Sequence, residues 1–458
     1  MEKLSKDLQS IQEARDLIAK AKKAQEIYKT FSQEQINKIV ESMAIAASKE
    51  AEKLAKLAHA ETGFGNWQDK IIKNKFASEV VYNHIKDNKT VGVLQDDKEK
   101  KVIEVAVPVG VVAGLIPSTN PTSTVIYKSL IALKSGNGIV FSPHPSAKNC
   151  IIEATKILYK AAIEAGAPEG IIGCMTILSM EGTDQLMKHK DVSLILATGG
   201  EAMVKAAYSS GTPAIGVGPG NGPAFIEKSA DFKLAVKRII DSKTFDNGVI
   251  CASEQSVVIE SCSREAIIKE FENQGAYFLN QEESEQVGKL ILRSNGTMNP
   301  QIVGKDVQTI ANLVGLAIPE GARVLLSEQT TVGKWNPYSR EKLTPILGFY
   351  CEENWEKACD RCVELLMNEG KGHTLILHSN DEKVIREFAL KKPVSRLLIN
   401  TSGALGGIGG STNLIPALTL GCGAIGGSAT SDNIGPMNLI NIRRIAYGVS
   451  ELEDIKFA

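Results

Sequence analysis

The sequence predicts an α/β protein built on open, parallel sheet, and three observations carry the prediction. From residue 110 onward, apolar runs of strand length alternate with segments of helix length. The repeated β-α-β spacing is long enough for parallel crossovers and too long for hairpins. A second stretch of the same kind begins near Gly222, so the chain holds two α/β halves. Its 458 residues set a soft prior of two or three domains.

Taken in order, the first 60 residues read as amphipathic helices. Ile11, Ala14, Leu17 and Ile18 recur at helical spacing, as do Ile36, Ile39, Val40 and Met43. The pattern changes at residues 90–107, where TVGVLQ, the polar DDKEKK and VIEVAVP read as a β-hairpin. Residues 110–117 form an apolar strand ending in a Pro/Ser/Thr/Asn turn, and Thr122 to Ser135 a helix. A strand at 136–143, a helix from Ala147 to Gly166, a strand at 171–178 and a strand at 192–200 follow, the last leading into EAMVKAAYSSG. PAFIEK opens the second half, which ends near the glycine-rich stretch 403–427. The tail after Gly435 carries NLINIRRIAYG, short and β-prone. There are no internal repeats and no low-complexity linker.

Composition is that of an ordinary globular protein, 43% apolar and 23% charged. The formal net charge of -1 marks neither a nucleic-acid nor an anionic-membrane partner. No apolar run is long enough to span a bilayer, and the charged N-terminus is unlike a signal peptide, so a cytoplasmic address is expected. Eight scattered cysteines fit a reduced compartment. Cys359 and Cys362 form a lone CxxC, read as two helix residues one turn apart. No HxxxH, HExxH or Cys/His cluster occurs, so no metal is expected. Walker A and GxSxG are absent as well.

Four segments could carry chemistry. Cys251 follows the polar, glycine-containing approach FDNGVI and precedes a strand. Such a turn exposes a thiol to a cleft and surrounds it with N–H donors that favour thiolate. Set against this, one cysteine among eight is more often an inert buried residue. Ser118, Thr119 and Asn120 form an amide- and hydroxyl-rich turn at a strand end, suited to an oxyanion, although an ordinary helix N-cap is the commoner use of such residues. Thr198, Gly199 and Gly200 open a helix, where free N–H groups and the helix dipole suit a pyrophosphate. Gly421 to Gly426 is a formal GxGxxG, but too little chain and no acidic residue follow to build a nucleotide unit, so close packing or a cleft lining is expected.

In this order the segments resemble the aldehyde dehydrogenase superfamily, and most of all its CoA-acylating branch. The resemblance rests on IPSTNPTST at 116–124, FSPHPSAKN at 141–149, ATGGEAMVKAAYSSG at 197–211, GVGPGN at 216–221, FDNGVICASEQS at 245–256, EKLTPIL at 341–347, EGKGHT at 369–374 and TLGCGAIGGSATSDNIGP at 419–436. It implies a Rossmann-like cofactor domain at 1–89 and 107–221, an α/β catalytic domain at 222–435, and a β oligomerisation arm from 90–106 and 436–458. It makes Cys251 the nucleophile and places the oxyanion donor at Asn120 or, in a gapless register, at Thr119. It gathers Ser118, Ser142, His144, Pro145, Thr198, Gly199, Gly200, Val217, Gly218, Glu341 and Leu343 around NAD, with NADP possible. Ser142 stands where hydrolytic members place a ribose-binding lysine.

Gly216 is the informative departure. Hydrolytic members carry a general-base glutamate there, in a Glu-Leu-Gly-Gly motif. Without a base, water attacks a thioester poorly, while the CoA thiol attacks well. The resemblance therefore implies an enzyme interconverting a short-chain aldehyde, acetaldehyde or propionaldehyde first, with its acyl-CoA. Sulfoacetaldehyde and succinate semialdehyde are the alternative substrates. The rivals are a hydrolytic enzyme using Glu254 or His373 as base, a phosphate-ester reductase, and a non-catalytic scaffold or cargo protein. A homodimer or homotetramer is implied, with an alcohol dehydrogenase or lyase as pathway partner.

Overall fold

A computed structural model describes residues 5–451; residues 1–4 of the expected cofactor domain and 452–458 of the expected arm lie outside the described residues. The N-terminal helices are Lys6–Tyr28, Gln33–Lys49 and Ala51–Thr62. Their periodic residues face inward: Ala14, Ile18, Ile36, Ile39, Val40 and Met43 are all buried, while Ile11 and Leu17 are half-buried. The second helix starts on a reciprocal cap between Ser32 and Gln35, which satisfies two otherwise orphaned N–H groups.

Fifteen strands follow: β1 (Gly92–Asp97), β2 (Val102–Pro108), β3 (Val111–Ile116), β4 (Gly138–Pro143), β5 (Ile172–Cys174), β6 (Val192–Thr198), β7 (Ala214–Val217), β8 (Gly222–Ile226), β9 (Glu254–Glu260), β10 (Ala276–Leu279), β11 (Val324–Glu328), β12 (Ile346–Glu352), β13 (Gly372–His378), β14 (Val394–Ile399) and β15 (Ile440–Ala446). They form a five-stranded sheet β5-β4-β3-β6-β7, a seven-stranded sheet β10-β11-β12-β9-β8-β13-β14, and a three-stranded sheet β1-β2-β15. Every pair in the two larger sheets is parallel. The hairpin takes the C-terminal strand as its third member, antiparallel, with Ile440 opposite Pro108.

One expected strand is much shorter than the sequence implied. Apolar residues 171–178 give only Ile172–Cys174. Beyond it, the N–H groups of Thr176 and Ile177 donate to the Glu13 carboxylate, at 2.9 and 2.7 Å. A side chain from the first helix thus takes the donors a longer strand would have needed.

The two large sheets meet end to end. β7 stops at Val217 and β8 starts at Gly222, so only four residues separate the C-terminal edge of one sheet from the N-terminal edge of the other. The turns after β3 and β7 come against the turns before β9 and β12: the Asn120 amide donates to the Val249 carbonyl, and Gly220 N–H donates to Glu341. Ligands of open α/β sheets bind at C-terminal strand edges, and here the second sheet closes that edge from above.

Candidate active site

Cys251 sits in the turn that enters β9, half-buried. Its approach is conformationally costly. Asp246 (φ 49°), Asn247 (φ 53°) and Gly248 (φ 76°) are all left-handed, and a non-glycine residue there costs on the order of 1–2 kcal/mol. The surroundings hold it. The Asp246 carboxylate accepts from Asn66 N–H at 2.8 Å and from the ammonium groups of Lys70, at 2.9 Å, and Lys73. Asp246 N–H donates to Asp69 at 2.7 Å, and the Asn247 amide to the Gly304 carbonyl at 2.9 Å. Gly65 is required by close approach: a Cβ there would lie 1.7 Å from Asp246 Oδ1.

Gly220 makes the other close approach, since its Cβ would lie 1.9 Å from the Cys251 carbonyl oxygen. Its N–H donates to Glu341 Oε1 at 2.9 Å, which brings that carboxyl beside the nucleophile. Glu341 N–H in turn donates to Glu369 at 2.7 Å. Burial, reinforced by Glu369, pushes the Glu341 carboxyl up to about 8. Burial, reinforced by Glu341, pushes the Cys251 thiol up to about 12. Against the thiolate-favouring surroundings expected from the turn, desolvation and then the nearby carboxyl disfavour the thiolate.

Across from Cys251 lies the turn after β3. Ser118, Thr119 and Asn120 are each half-buried. Asn120 occupies the N-cap position of the helix Pro121–Lys134, yet its side chain makes no cap bond, so the ordinary reading of this turn fails. Its Oδ1 accepts from Lys73 Nζ at 2.6 Å. Its Nδ2 donates to Thr119 Oγ1 at 3.2 Å and to the Val249 carbonyl, two residues before the nucleophile, at 3.3 Å.

The residues expected around the cofactor divide among three places. Ser142, His144, Pro145, Thr198, Gly199 and Gly200 line one cavity of about 260 Å³, with Pro117 and Met203. Gly218 lines a second, about 700 Å³, with Gly216, Lys205, Lys334, Arg340, Glu369, Lys371 and Cys422. Val217 is buried within β7, and half-buried Leu343 accepts from Gly304 N–H at 2.7 Å through its carbonyl. The first cavity suits a dinucleotide. Thr198 Oγ1 is buried there without a partner, and a Cβ on Gly200, at the start of the helix Glu201–Tyr208, would meet nothing within 4 Å. Open space at a helix N-terminus and an orphaned hydroxyl match an anionic, hydrogen-bonding ligand. Ser142 is engaged with Thr183 Oγ1 at 2.9 Å. A larger cavity of about 980 Å³ opens at the C-terminal ends of β10 and β11 and includes none of these residues.

Gly216 is closed to a side chain. A Cβ would lie 2.7 Å from Val204 Cγ1 and 2.9 Å from Tyr208 Cε2. The Tyr208 hydroxyl accepts from Gly216 N–H at 2.8 Å and donates to its carbonyl at 3.2 Å. Glu254 is fully buried and accepts from Gly403 N–H at 2.7 Å; burial pushes its carboxyl up to about 7. His373 is buried with Nδ1 on Thr374 Oγ1 at 2.9 Å, and burial, then Arg396, pulls its imidazole down to about 3. The GxGxxG at 421–426 serves close packing and lines the second cavity: a Cβ on Gly426 would lie 2.7 Å from the Lys371 carbonyl. Cys359 and Cys362 lie buried on the helix Trp355–Asn368, as the spacing implied.

Sequence reasoning missed Lys70, Lys73, Asp246 and Tyr208. The two lysines, three apart on the helix Trp67–Lys75, have the look of a solvated face. The available signal was Asp-Asn-Gly at 246–248, a run of residues that tolerate left-handed backbone directly before the cysteine.

The aldehyde dehydrogenase family model matches residues 7–339. The bifunctional aldehyde-alcohol dehydrogenase of Escherichia coli K12 is 47% identical over 95% of this chain and 50% of its own length, so the chain spans about half of that relative. An acetylating succinate-semialdehyde dehydrogenase of Clostridium kluyveri is 37% identical over 94% of this chain and 95% of its own. Among solved structures, a probable aldehyde dehydrogenase from Listeria monocytogenes is 67% identical, with a TM-score of 0.98 over 99% of this chain and all of that one. An acetylating aldehyde dehydrogenase from Geobacillus thermoglucosidasius is 53% identical, with a TM-score of 0.96 over 97% and 98%.

Proposed function

The chain belongs to the aldehyde dehydrogenase family, on its acylating branch, and from that premise we propose that it interconverts a short-chain aldehyde and its acyl-CoA through a thioester on Cys251. The observation that carries this reading is the filled space at Gly216. Val204 and Tyr208 occupy the volume a general-base side chain would need. The two substitute bases are ill placed as well. Glu254 is buried and bonded to Gly403, and His373 is buried with a much reduced basicity. Water therefore lacks activation, and a thiol that is partly ionised near neutral pH is the better acyl acceptor.

The Cys251 thiol loses its proton to solvent water and its sulfur attacks the aldehyde carbon, forming a thiohemiacetal whose oxygen carries the negative charge. The Asn120 Nδ2 and the Cys251 backbone N–H face the oxyanion. Bound NAD, or NADP, would supply the hydride acceptor, and Thr198, Gly199 and Gly200 would hold its pyrophosphate and Glu341 its ribose. The thioester left on Cys251 passes to CoA, a ping-pong sequence that also runs in reverse as acyl-CoA reduction. Acetaldehyde or propionaldehyde is the first substrate. Arg396 is buried and donates to neutral oxygens of Thr374, Ser431, Asn433 and Gly421.

The same reading assigns residues 1–89 and 107–221 to the cofactor domain, 222–435 to the catalytic domain, and the β1-β2-β15 sheet to an arm that pairs protomers into a dimer or tetramer. Exposed Ile442, Ile445 and Tyr447 support that role. A cytoplasmic location and an alcohol dehydrogenase partner belong to it too; among the described residues no helix is long and apolar enough to cross a membrane. The test is reduced-cofactor absorbance with acetaldehyde and NAD, with and without CoA. Steady turnover only with CoA is expected, and steady CoA-independent turnover overturns the reading.

A further inference from the structure

We propose that Lys73 is a positioning residue for the reaction: it fixes the direction of the Asn120 amide, so that Nδ2 points toward the oxyanion formed at Cys251, and Lys70 and Asp246 hold it there. The inference rests on the reading of Asn120 as the oxyanion donor.

A side-chain amide can be turned over at almost no steric cost, and only its partners decide which end points where. Here the partner leaves no choice. An ammonium group donates and never accepts, so the Asn120 atom 2.6 Å from Lys73 Nζ is the oxygen. The amide nitrogen is forced to the opposite side, where the nucleophile's turn lies and the Val249 carbonyl is 3.3 Å away. A residue at a helix N-cap that declines to cap its helix is thereby explained, because its oxygen is already engaged.

The rest of the cluster maintains that geometry. Lys70 and Lys73 are each 3% exposed, and Asp246 is fully buried. Lys70 Nζ also reaches the Thr119 carbonyl at 3.2 Å, so one lysine fixes the backbone of the turn and the other fixes its amide. Both share the Asp246 carboxylate, which also anchors the left-handed run before Cys251. A single carboxylate thus registers the nucleophile's loop against the oxyanion turn. A cluster that only stabilised the fold would have no need to engage the Asn120 oxygen.

The test is a double-mutant cycle on the full chain, with aldehyde, NAD and CoA. Asn120→Ala and Lys73→Met are each expected to lower kcat about 100-fold, the usual loss for one oxyanion donor, with KM for the aldehyde within about twofold of the parent, the pattern of an interaction made only in the transition state. The double variant should be no slower than the slower single, because Lys73 acts through Asn120. Lys73→Arg, which also only donates, should recover much of the rate. Asn120→Asp covers the case of a Lys73→Met chain that does not fold: it keeps the pair with Lys73 but has no N–H to give, and should be as slow as Asn120→Ala. A multiplicative loss in the double variant, an unchanged kcat in Lys73→Met, or an active Asn120→Asp overturns the proposal. Parent enzyme that turns over without CoA, or not at all, counts against the reading of the function instead. The inference is then decided by a crystal structure of Lys73→Met: an Asn120 amide that has left Val249 supports it, and one that has not moved overturns it.

Discussion

Gly216→Glu tests the claim that this site transfers rather than hydrolyses because of what fills it. The substitution restores the residue type that hydrolytic members use, at the position they use it. Its backbone is not the obstacle, since Gly216 is not among the positive-φ glycines. Its neighbours are. A Cβ would sit 2.9 Å from a Tyr208 ring carbon, where carbon atoms rest at about 3.5–4.0 Å, so the ring must retreat by roughly 1 Å. Overpacking of this kind costs about 1–3 kcal/mol. The Tyr208 hydroxyl bonds to both polar backbone atoms of Gly216, and losing them adds about 1 kcal/mol each. The single variant should therefore melt several degrees lower and still require CoA. Gly216→Glu with Val204→Ala and Tyr208→Ala opens the space, and only this combination should show steady NADH formation without CoA. The assay is the absorbance trace with and without CoA, beside a thermal melt of each variant. A single Gly216→Glu that hydrolyses its thioester at an unchanged melting temperature would refute the reasoning.

The remaining predictions address the nucleophile and its carboxyl neighbours. Cys251→Ala should abolish CoA-dependent turnover while leaving the melt unchanged within a degree or so, since the side chain is small and half-buried. The raised Cys251 thiol should react slowly with iodoacetamide at neutral pH and about tenfold faster per pH unit from 7 to 9, because only the thiolate reacts; a plateau near pH 8 would contradict the assignment. Glu341 is held near 8 in the fold against 4.5 as its ordinary value. The folded state therefore binds the extra proton across that window, and the group's contribution falls as pH rises from 4.5 to 8. Glu341→Gln should accordingly gain melting temperature on the parent as pH rises from 5 to 9. Gly65→Ala should lose both stability and activity, since its methyl falls on the Asp246 carboxylate; a normal melt would show that the Asp246 cluster is not as tight as described.

What the sequence disclosed follows from the range of each interaction. Amphipathic periods and apolar strands are local, so the N-terminal helices, the hairpin, β3, β4 and β6 of the first parallel sheet and β8 and β9 of the second were legible. Cys251 and the turn at 118–120, the proposed nucleophile and oxyanion turn, were singled out by the family resemblance, since by residue type alone an inert cysteine and an ordinary N-cap were the commoner readings. Lys70 and Lys73 were not. They lie on a short, polar helix, and their partner Asp246 lies more than 170 residues further along the chain. Strand 171–178 failed for the same reason in reverse: its apolar content was real, but Glu13, far earlier in the chain, captured its N–H groups. The thiolate expectation counted N–H donors in a turn and could not see Glu341 brought in across Gly220.

That last interaction bears on how the site is switched on. A thiol raised to about 12 is a poor nucleophile, and its burial and the adjoining Glu341 are what raise it. Both causes lie on the cofactor's side of the cysteine, because Glu341 bonds to Gly220 in the crossing between the two sheets. A ligand that draws the Glu341 carboxyl toward a ribose hydroxyl moves that group away from the sulfur and lowers the cost of ionising it. The oxyanion side needs no such adjustment, since Asn120 is already oriented by a buried lysine and its carboxylate. The site thus pairs a fixed acceptor of negative charge with a nucleophile that stays protonated until Glu341 is engaged. Adding NAD alone, without aldehyde or CoA, should therefore speed alkylation of Cys251 at pH 9, where Glu341 is ionised, and Glu341→Gln should react faster than the parent there and respond less to NAD. Equal alkylation rates for the parent with and without NAD, with Glu341→Gln no faster, would show that Glu341 does not govern the thiol.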